Sequence, residues 1–421
     1  MHNIQLTLEN DFRSVKQIIM FSKKLGLSIL AVALTLVSAR AQQGVNDISF
    51  GKGLMNYVAA DSSFSVKFAP RMQVRYYGNS GFDNGSLGKV DHDFLIRRSR
   101  FKFDGWAYHP SIKYKMEFGL TNNDISGANE FTKDAPRLIL DAVLKWGFAP
   151  GWELWAGQTK LPGNIERVIS SANLQLVDRS MLNSKFNIDR DMGLQLRHKS
   201  TFGNVVTKEK FAISQGEGRN ITAGNVGGLQ YTARLEVLPF GEFTKKGDYM
   251  GSSTVREKSP KLLLAYTYDL NSNAVKDRSN MGSYMYLSDG SLYQTNITTQ
   301  FVDVAFKYQG FSLMSEWASR AAANPVAVEA DGTATGDIVL VGSAFNLAMG
   351  QFISEKVEVA ARYTTLMFDE IAETDNTAQY TLGLNKFVVG HKLKVQSDIS
   401  YTTKAGEASG VMFRTGFELH F

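Results

Sequence analysis

Residues 64–77 read FSVKFAPRMQVRYY, and the alternation in this stretch decides the fold. Phe64, Val66, Phe68, Pro70, Met72, Val74 and Tyr76 fall on one side of an extended chain. Ser65, Lys67, Ala69, Arg71, Gln73, Arg75 and Tyr77 fall on the other. Successive side chains of a strand point to opposite faces, so one face here is apolar and the other carries three cations. The pattern recurs down the chain. Ile112, Tyr114, Met116, Phe118 and Leu120 oppose Lys113, Lys115, Glu117 and Gly119. Leu229, Tyr231, Ala233, Leu235 and Val237 oppose Gln230, Thr232, Arg234 and Glu236. Val357, Val359, Ala361 and Tyr363 oppose Glu358, Ala360, Arg362 and Thr364. Leu393, Val395, Ile399 and Tyr401 oppose Lys394, Gln396, Asp398 and Ser400.

Such segments lie near 64–77, 94–107, 111–121, 138–148, 152–160, 190–200, 205–215, 228–240, 260–270, 297–309, 311–320, 337–350, 355–367, 377–388, 391–403 and 411–421. They number about sixteen, an even count of segments about ten residues long, separated by turn residues. A soluble antiparallel sandwich also alternates. The length and number of the segments predict an all-β fold, a transmembrane antiparallel β-barrel. Its connections should be short periplasmic turns and long external loops. Residues 78–93, 122–137, 161–189 and 321–336 are long, whereas 108–110, 149–151, 201–204, 309–310 and 352–354 are short. Residues 241–259 break the rule: a periplasmic turn is due there, yet the stretch is long and charged. Either that turn is decorated or the strand count slips. The final segment places Val411, Phe413, Thr415, Phe417, Leu419 and Phe421 on one face, and a terminal aromatic is a familiar assembly signal of outer-membrane barrels.

Ahead of the barrel lies a targeting segment. Lys23 and Lys24 precede the apolar run Leu25 to Val37, which ends in Ala39-Arg40-Ala41. That is the layout of a signal peptide, and its apolar run is too short to span a bilayer. The expected organisation is a mis-called start over 1–19, a signal peptide over 20–41, an N-terminal periplasmic segment over 42–60 and the barrel over 61–421. An N-terminal anchor helix is the alternative. Residues 1–41 carry five basic and two acidic side chains, so their removal lowers the formal charge from +5 to +2. Anion preference must then come from where the charges sit. The absence of cysteine excludes a disulfide framework and a thiolate metal site.

The chain resembles a known family, the phosphate-selective porins of the O and P type. The resemblance is carried by Arg97-Arg98-Ser99-Arg100-Phe101-Lys102-Phe103-Asp104-Gly105, by Asp141-Ala142-Val143-Leu144 and by Leu154-Trp155-Ala156-Gly157-Gln158-Thr159-Lys160-Leu161-Pro162. Glu166 to Ser180, Gly383-Leu384-Asn385 and Gly390-His391-Lys392-Leu393-Lys394 extend it over nearly all of the barrel. The resemblance implies sixteen strands, a homotrimer in the bacterial outer membrane, and a third loop folded into the lumen. It also implies passage of small anions, in some members phosphate selected by arginine and lysine arrays.

Alternation puts Lys67, Arg71, Arg75, Arg98, Arg100, Lys102, Lys113 and Lys115 on the inward face of the first three strands, against Asp104 and Glu117. A wall of Arg and Lys favours anions, and its low-dielectric setting focuses the field. Arginine presents a fork to phosphate or carboxylate oxygens, and lysine a point charge. Alternatively these cations pair with carboxylates of the third loop. In that loop Lys160, Arg167, Arg179 and Lys185 sit among Glu166 and Asp178, and they become constriction candidates if the loop enters the lumen. Later strands carry inward Glu236, Asp303, Glu316, Glu358 and Asp398, which predicts a mixed far wall and weak selectivity. Tyr76, Trp106, Trp146, Trp152, Trp317 and Tyr363 suit interfacial girdles.

Enzymatic readings find little purchase. The histidines are scattered, and no H-E-x-x-H, nucleophile elbow or P-loop occurs. No catalytic residue, metal site or cofactor is assigned, and no nucleic-acid-binding signature is present. The sequence therefore predicts a porin for passive diffusion of small hydrophilic solutes, favouring anions such as phosphate, in contact with outer-membrane lipid. The alternatives are a general or sugar-permeable porin and a structural or partner-binding barrel.

Overall fold

In a computed structural model that describes residues 50–83, 85–222 and 226–421, the alternating segments become sixteen strands of one closed antiparallel barrel. The proposed signal peptide lies outside the described residues. The first strand, β1, is built from Phe64–Phe68 and Arg71–Asp83, interrupted at Ala69-Pro70. The others are β2 (Asp91–Ala107), β3 (His109–Gly119), β4 (Ile139–Ala149), β5 (Trp152–Lys160), β6 (Arg190–Phe202), β7 (Val205–Ser214) and β8 (Gln230–Leu238). Then follow β9 (Lys261–Ala274), β10 (Thr295–Tyr308), β11 (Phe311–Ala322), β12 (Gly342–Phe352), β13 (Val357–Phe368), β14 (Thr377–Val389), β15 (Leu393–Lys404) and β16 (Glu407–His420). Each pairs with its neighbour in sequence, and β16 closes the ring on β1 from Gly410↔Gly81 to His420↔Arg71. A short strand, Met55–Val58, pairs with Phe64–Phe68 along the same edge of β1, beyond the reach of β16.

Closure leaves the ring of sixteen strands without a free edge from Arg71 onward, the condition for crossing hydrocarbon with strands. The outward face matches that solvent. Leu144, Leu194, Leu264, Leu382, Leu384, Ile399 and Phe417 are all exposed, spread over β4, β6, β9, β14, β15 and β16. Near the short-turn end Trp146, Phe148, Trp152 and His198 form a continuous aromatic run, with Trp152 stacked on His198 at 4.1 Å between ring centroids. Amphipathic rings favour a bilayer boundary for the same reason that each has an apolar body and a polar handle.

At one end the connections are short. Residues 150–151, 203–204 and 309–310 are two-residue turns. At the other end they are long, except the tight Ala405-Gly406 turn between β15 and β16. There both residues have positive φ, as a two-residue hairpin requires. Residues 239–260 are the exception at the short end. The strand count does not slip there: β8 and β9 pair directly from Gln230↔Asn271 to Val237↔Leu264, and the turn is an insertion.

The barrel interior is not uniformly wet. The third loop, residues 161–189, enters the lumen and packs against strands β7 to β13. Its Ile165, Ile169 and Leu174 bury with inward-facing Val206, Leu238, Leu263, Ala265, Ala305 and Met314. Its helix Met181–Phe186 starts at Ser180, whose hydroxyl caps the helix by accepting from Asn183 N. That helix buries Leu182 and Phe186 against Ala212, Phe301, Ala318, Ala344 and Leu366. A third apolar cluster, including Met285, Ile297, Val339 and Ala372, lies among the remaining long loops. The interior of one half of the barrel is therefore a protein core.

Candidate functional site

What remains open is a cavity of about 740 Å³ along strands β2 to β6. Twelve cations line it against five carboxylates. Strands supply Arg97, Arg98 and Arg100 (β2), Lys115 (β3), Lys145 (β4), Lys160 (β5), and Arg190 and Arg197 (β6). Long loops add Arg137, Arg167, Arg179 and Arg219. The acids are Glu117, Asp124, Asp141, Asp178 and Asp189. Arg190 and Arg197 stand seven positions apart on one strand, about 23 Å along it. With strands tilted by roughly 40°, the positive lining thus runs along the barrel wall over about half of a membrane thickness.

Much of that charge is compensated locally. Asp141 accepts from Lys115 at 2.8 Å and Arg190 at 3.0 Å. Arg100 reaches Asp124 at 2.8 Å and Glu117 at 3.2 Å. Six lining cations have no carboxylate within 4.0 Å among the described residues: Arg137, Lys145, Lys160, Arg179, Arg197 and Arg219. Some of these are bound by backbone instead. Lys160 Nζ donates to the carbonyls of Arg167 (2.6 Å), Val168 (3.3 Å) and Ile169 (3.0 Å), which ties the start of loop 3 to the wall. Arg179 donates to Glu166 O and Ile169 O. Lys145 and Arg197 lie over the Trp155 ring, at 3.8 and 3.6 Å from its centroid. An inward tryptophan holding two cations keeps both charges at the wall without neutralising them.

Loop 3 meets the basic wall through one carboxylate. Asp178 accepts from Arg75 at 2.6 Å, and Arg98 and Arg97 stand 3.5 and 3.8 Å away. Burial works against its charge, but Arg75, Arg98 and Arg97 together outweigh that penalty and hold the carboxyl well below the ordinary carboxylate range. Arg75 is fully buried and also donates to Val177 O and Tyr77 Oη.

The residues predicted from sequence are distributed as follows. Arg98, Arg100, Lys115, Lys160, Arg167 and Arg179 come together on the cavity. Arg71 and Arg75 face inward but are engaged by Glu418 with Ser171 and by Asp178, respectively. Lys102 pairs with Asp104 at 2.6 Å, Lys113 lies 3.9 Å from Glu153, and Lys67 stands opposite Asp104 in register; none of the three lines the cavity. Lys185 is exposed at the end of its helix, and its carbonyl accepts from Arg320. Alternation misses Arg97 because β2 bulges: Gln73 pairs with Arg98 and Val74 with Ile96, so Arg97 is the extra residue and joins Arg98 at Asp178. Lys145 and Arg197 follow from the same alternation carried to the fourth and sixth strands. Arg137 and Arg219 come from long loops, where no period guides assignment.

The expectation of a mixed far wall is corrected. Glu236, Asp303, Glu316, Glu358 and Asp398 do point inward, but all five are buried and none lines the cavity. Glu316 accepts from Asn164 Nδ2 and Glu166 N, and Asp398 accepts from Val177 N, so both bind loop 3. Glu358 accepts from Gln175, Ser252 and Asn385. Glu236 takes Lys210 and Arg234, and Asp303 also takes Arg234. These carboxylates hold the internal core in place. Loop 3 approaches the far wall closely enough that a Cβ on inward-facing Gly383 would lie 2.4 Å from Leu176 Cδ2.

Comparison with known proteins agrees with this geometry. Among solved structures the chain is similar to an anion-selective porin from Comamonas acidovorans, at 11% identity and TM-score 0.53, covering 85% of this chain and 100% of that one. It is similar to OprB of Pseudomonas putida at 10% identity and TM-score 0.53, over 85% and 94% of the two chains. The outer membrane channel DcaP of Acinetobacter baumannii aligns at 12% identity and TM-score 0.52, over 86% and 99%. At such identities the likeness is one of fold. Among curated proteins none matches the sequence. The sequence profile of the family described as phosphate-selective porin O and P matches residues 71–412, most of the chain. With that match on a closed sixteen-stranded barrel, the chain belongs to the phosphate-selective porin O and P family of outer-membrane porins.

Proposed function

We propose that the cavity along β2 to β6 is the solute path and that it favours small anions, phosphate among them. The observation that carries this reading is the lining of twelve cations against five carboxylates. A positive wall of low dielectric raises the local concentration of anions and lowers that of cations. Arginine forks at Arg97 and Arg137 offer paired donors to the oxygens of a tetrahedral oxyanion. A sugar-permeable path calls for free aromatic faces, and the inward Trp155 carries two cations instead. The working unit in this reading is a homotrimer, as the family resemblance implies.

The test is single-channel recording of the refolded protein in a planar bilayer across a KCl gradient, with phosphate as competitor. Discrete steps, a reversal potential on the chloride side and a chloride current reduced by phosphate are expected. A reversal potential on the potassium side sinks the reading.

A further inference from the structure

Residues 239–260 join β8 to β9 at the end where the other connections run one to four residues. The insertion does not hang below the barrel. It turns back into the lumen and is built to stay there. Phe243 buries in the apolar cluster formed by loop 3 and the inward faces of β7 to β11. Glu257 ties the base of the turn, accepting from Thr244 N at 2.7 Å and Thr244 Oγ1 at 2.9 Å. Tyr249 Oη donates to Glu236 at 2.8 Å and accepts from Lys210 at 2.9 Å. Lys307, buried on β10, donates to three of its carbonyls, those of Gly247, Met250 and Ser252, at 2.7 to 2.9 Å.

The tip of the turn docks on the lowest part of loop 3. Gly251 N donates to Asn173 O at 2.8 Å. A Cβ on Gly251 would lie 2.5 Å from Gln175 N, so glycine is what lets the two backbones meet. Glu358 then accepts from both partners, Ser252 Oγ at 2.8 Å and Gln175 Nε2 at 3.0 Å. Gln175 also donates to Ser312, and Leu174 O accepts from Lys394, side chains that sit at the short-turn ends of β11 and β15.

We propose that the 239–260 turn is the floor of the far half of the lumen: with loop 3 it closes that half from the short-turn side and leaves solutes only the basic wall. It is then a determinant of conductance and ion preference as much as the arginines are. Without it, Glu236 and Glu358 would be uncovered to water together with Lys210 and Lys307, and the pore would gain a second lane of mixed charge that dilutes the preference set by the basic wall. The inference about ion preference rests on the anion reading above, whereas the inference about pore size does not.

The experiment replaces residues 241–259 with a two-glycine link and compares single-channel conductance and reversal potential with the intact chain. At least a twofold rise in conductance and a reversal potential moved toward potassium are expected. A folded, shortened barrel with unchanged conductance overturns the proposal. If the intact chain shows no chloride preference but the deletion still doubles conductance, the anion reading fails and the floor stands. Should the deletion not assemble, the chain's lack of cysteine allows a second measurement. Ser252→Cys should react with a charged methanethiosulfonate at least tenfold more slowly than Ser354→Cys, placed on an exposed short turn. Equal rates overturn the proposal.

Discussion

The two halves of the lumen are made from the same alternating strands and do opposite things. On β2 to β6 the inward side chains are long cations facing open space. On β7 to β16 they are small or apolar residues and acids paired with buried cations, as Glu236 is with Lys210 and Arg234, and they face protein. Leu238 and Leu263 point into the barrel as Arg197 and Lys145 do, yet the leucines are wholly buried beneath loop 3 and the 239–260 turn. The difference teaches that an inward position in a barrel is polar or apolar according to what fills the lumen behind it. It also separates two uses of charge. The far carboxylates bind backbone amides and buried arginines, where losing one partner leaves another group unpaired. The near cations are partly uncompensated and remain available to whatever passes.

The comparison can be broken most severely at the near wall. Reversing three lining cations together, Arg97→Glu with Lys145→Glu and Arg197→Glu, lowers the formal excess of positive charge around the cavity from seven to one. Reversal potentials in a KCl gradient should then fall to near zero with the barrel still folded, and a preserved chloride preference would place the path elsewhere. Next in size is Leu263→Ala in the far half. Emptying a buried leucine site costs about 2–5 kcal/mol, to be read from urea unfolding in detergent, while ion preference stays where it was. If instead preference moves and stability does not, the far half is not a core.

A smaller effect tests the junction of the halves. Asp178→Asn leaves Arg75 buried without its carboxylate, a loss of about 1–3 kcal/mol in the same unfolding assay. It also releases Arg97 and Arg98, so phosphate should reduce the chloride current at lower concentration than in the parent. The smallest change expected is with acid. Because Asp178 is held well below the carboxylate range, its contribution is complete above about pH 4 and is lost only as pH falls through its folded value. Open-channel noise should therefore be flat from pH 7 to 5, and closures that multiply within that window would show that Asp178 does not latch the loop.

All sixteen strands were legible in the sequence because a barrel strand is a local object: its two faces meet different solvents, and a period of two records that residue by residue. The connection that broke the long-and-short rule was legible as an anomaly. Its inward fold was not, because that fold depends on Asn173, Gln175 and Glu358, which are remote in sequence. The site was half visible. Arg98, Arg100 and Lys115 follow from alternation, and Arg97 does not because one bulge shifts the phase beneath it. The acids of β8 to β15 were placed correctly as inward, but the charge they present depends on what they bind. Alternation reports direction and is silent on company.

The seam between β16 and β1 has a kinetic meaning. Arg71 and Glu418, paired across it, are 347 residues apart, so the closing ladder is a contact of extreme sequence separation. Such contacts form late, because the loop they close is long and its entropy must be given up first. Loop 3 draws its anchors from both sides of that seam, Arg71 and Arg75 on β1, Asn385 on β14 and Asp398 on β15. A nascent barrel that has not closed cannot seat this loop. The narrowing of the lumen by loop 3 is therefore acquired only with closure, and a chain stalled before it would be an open-edged sheet.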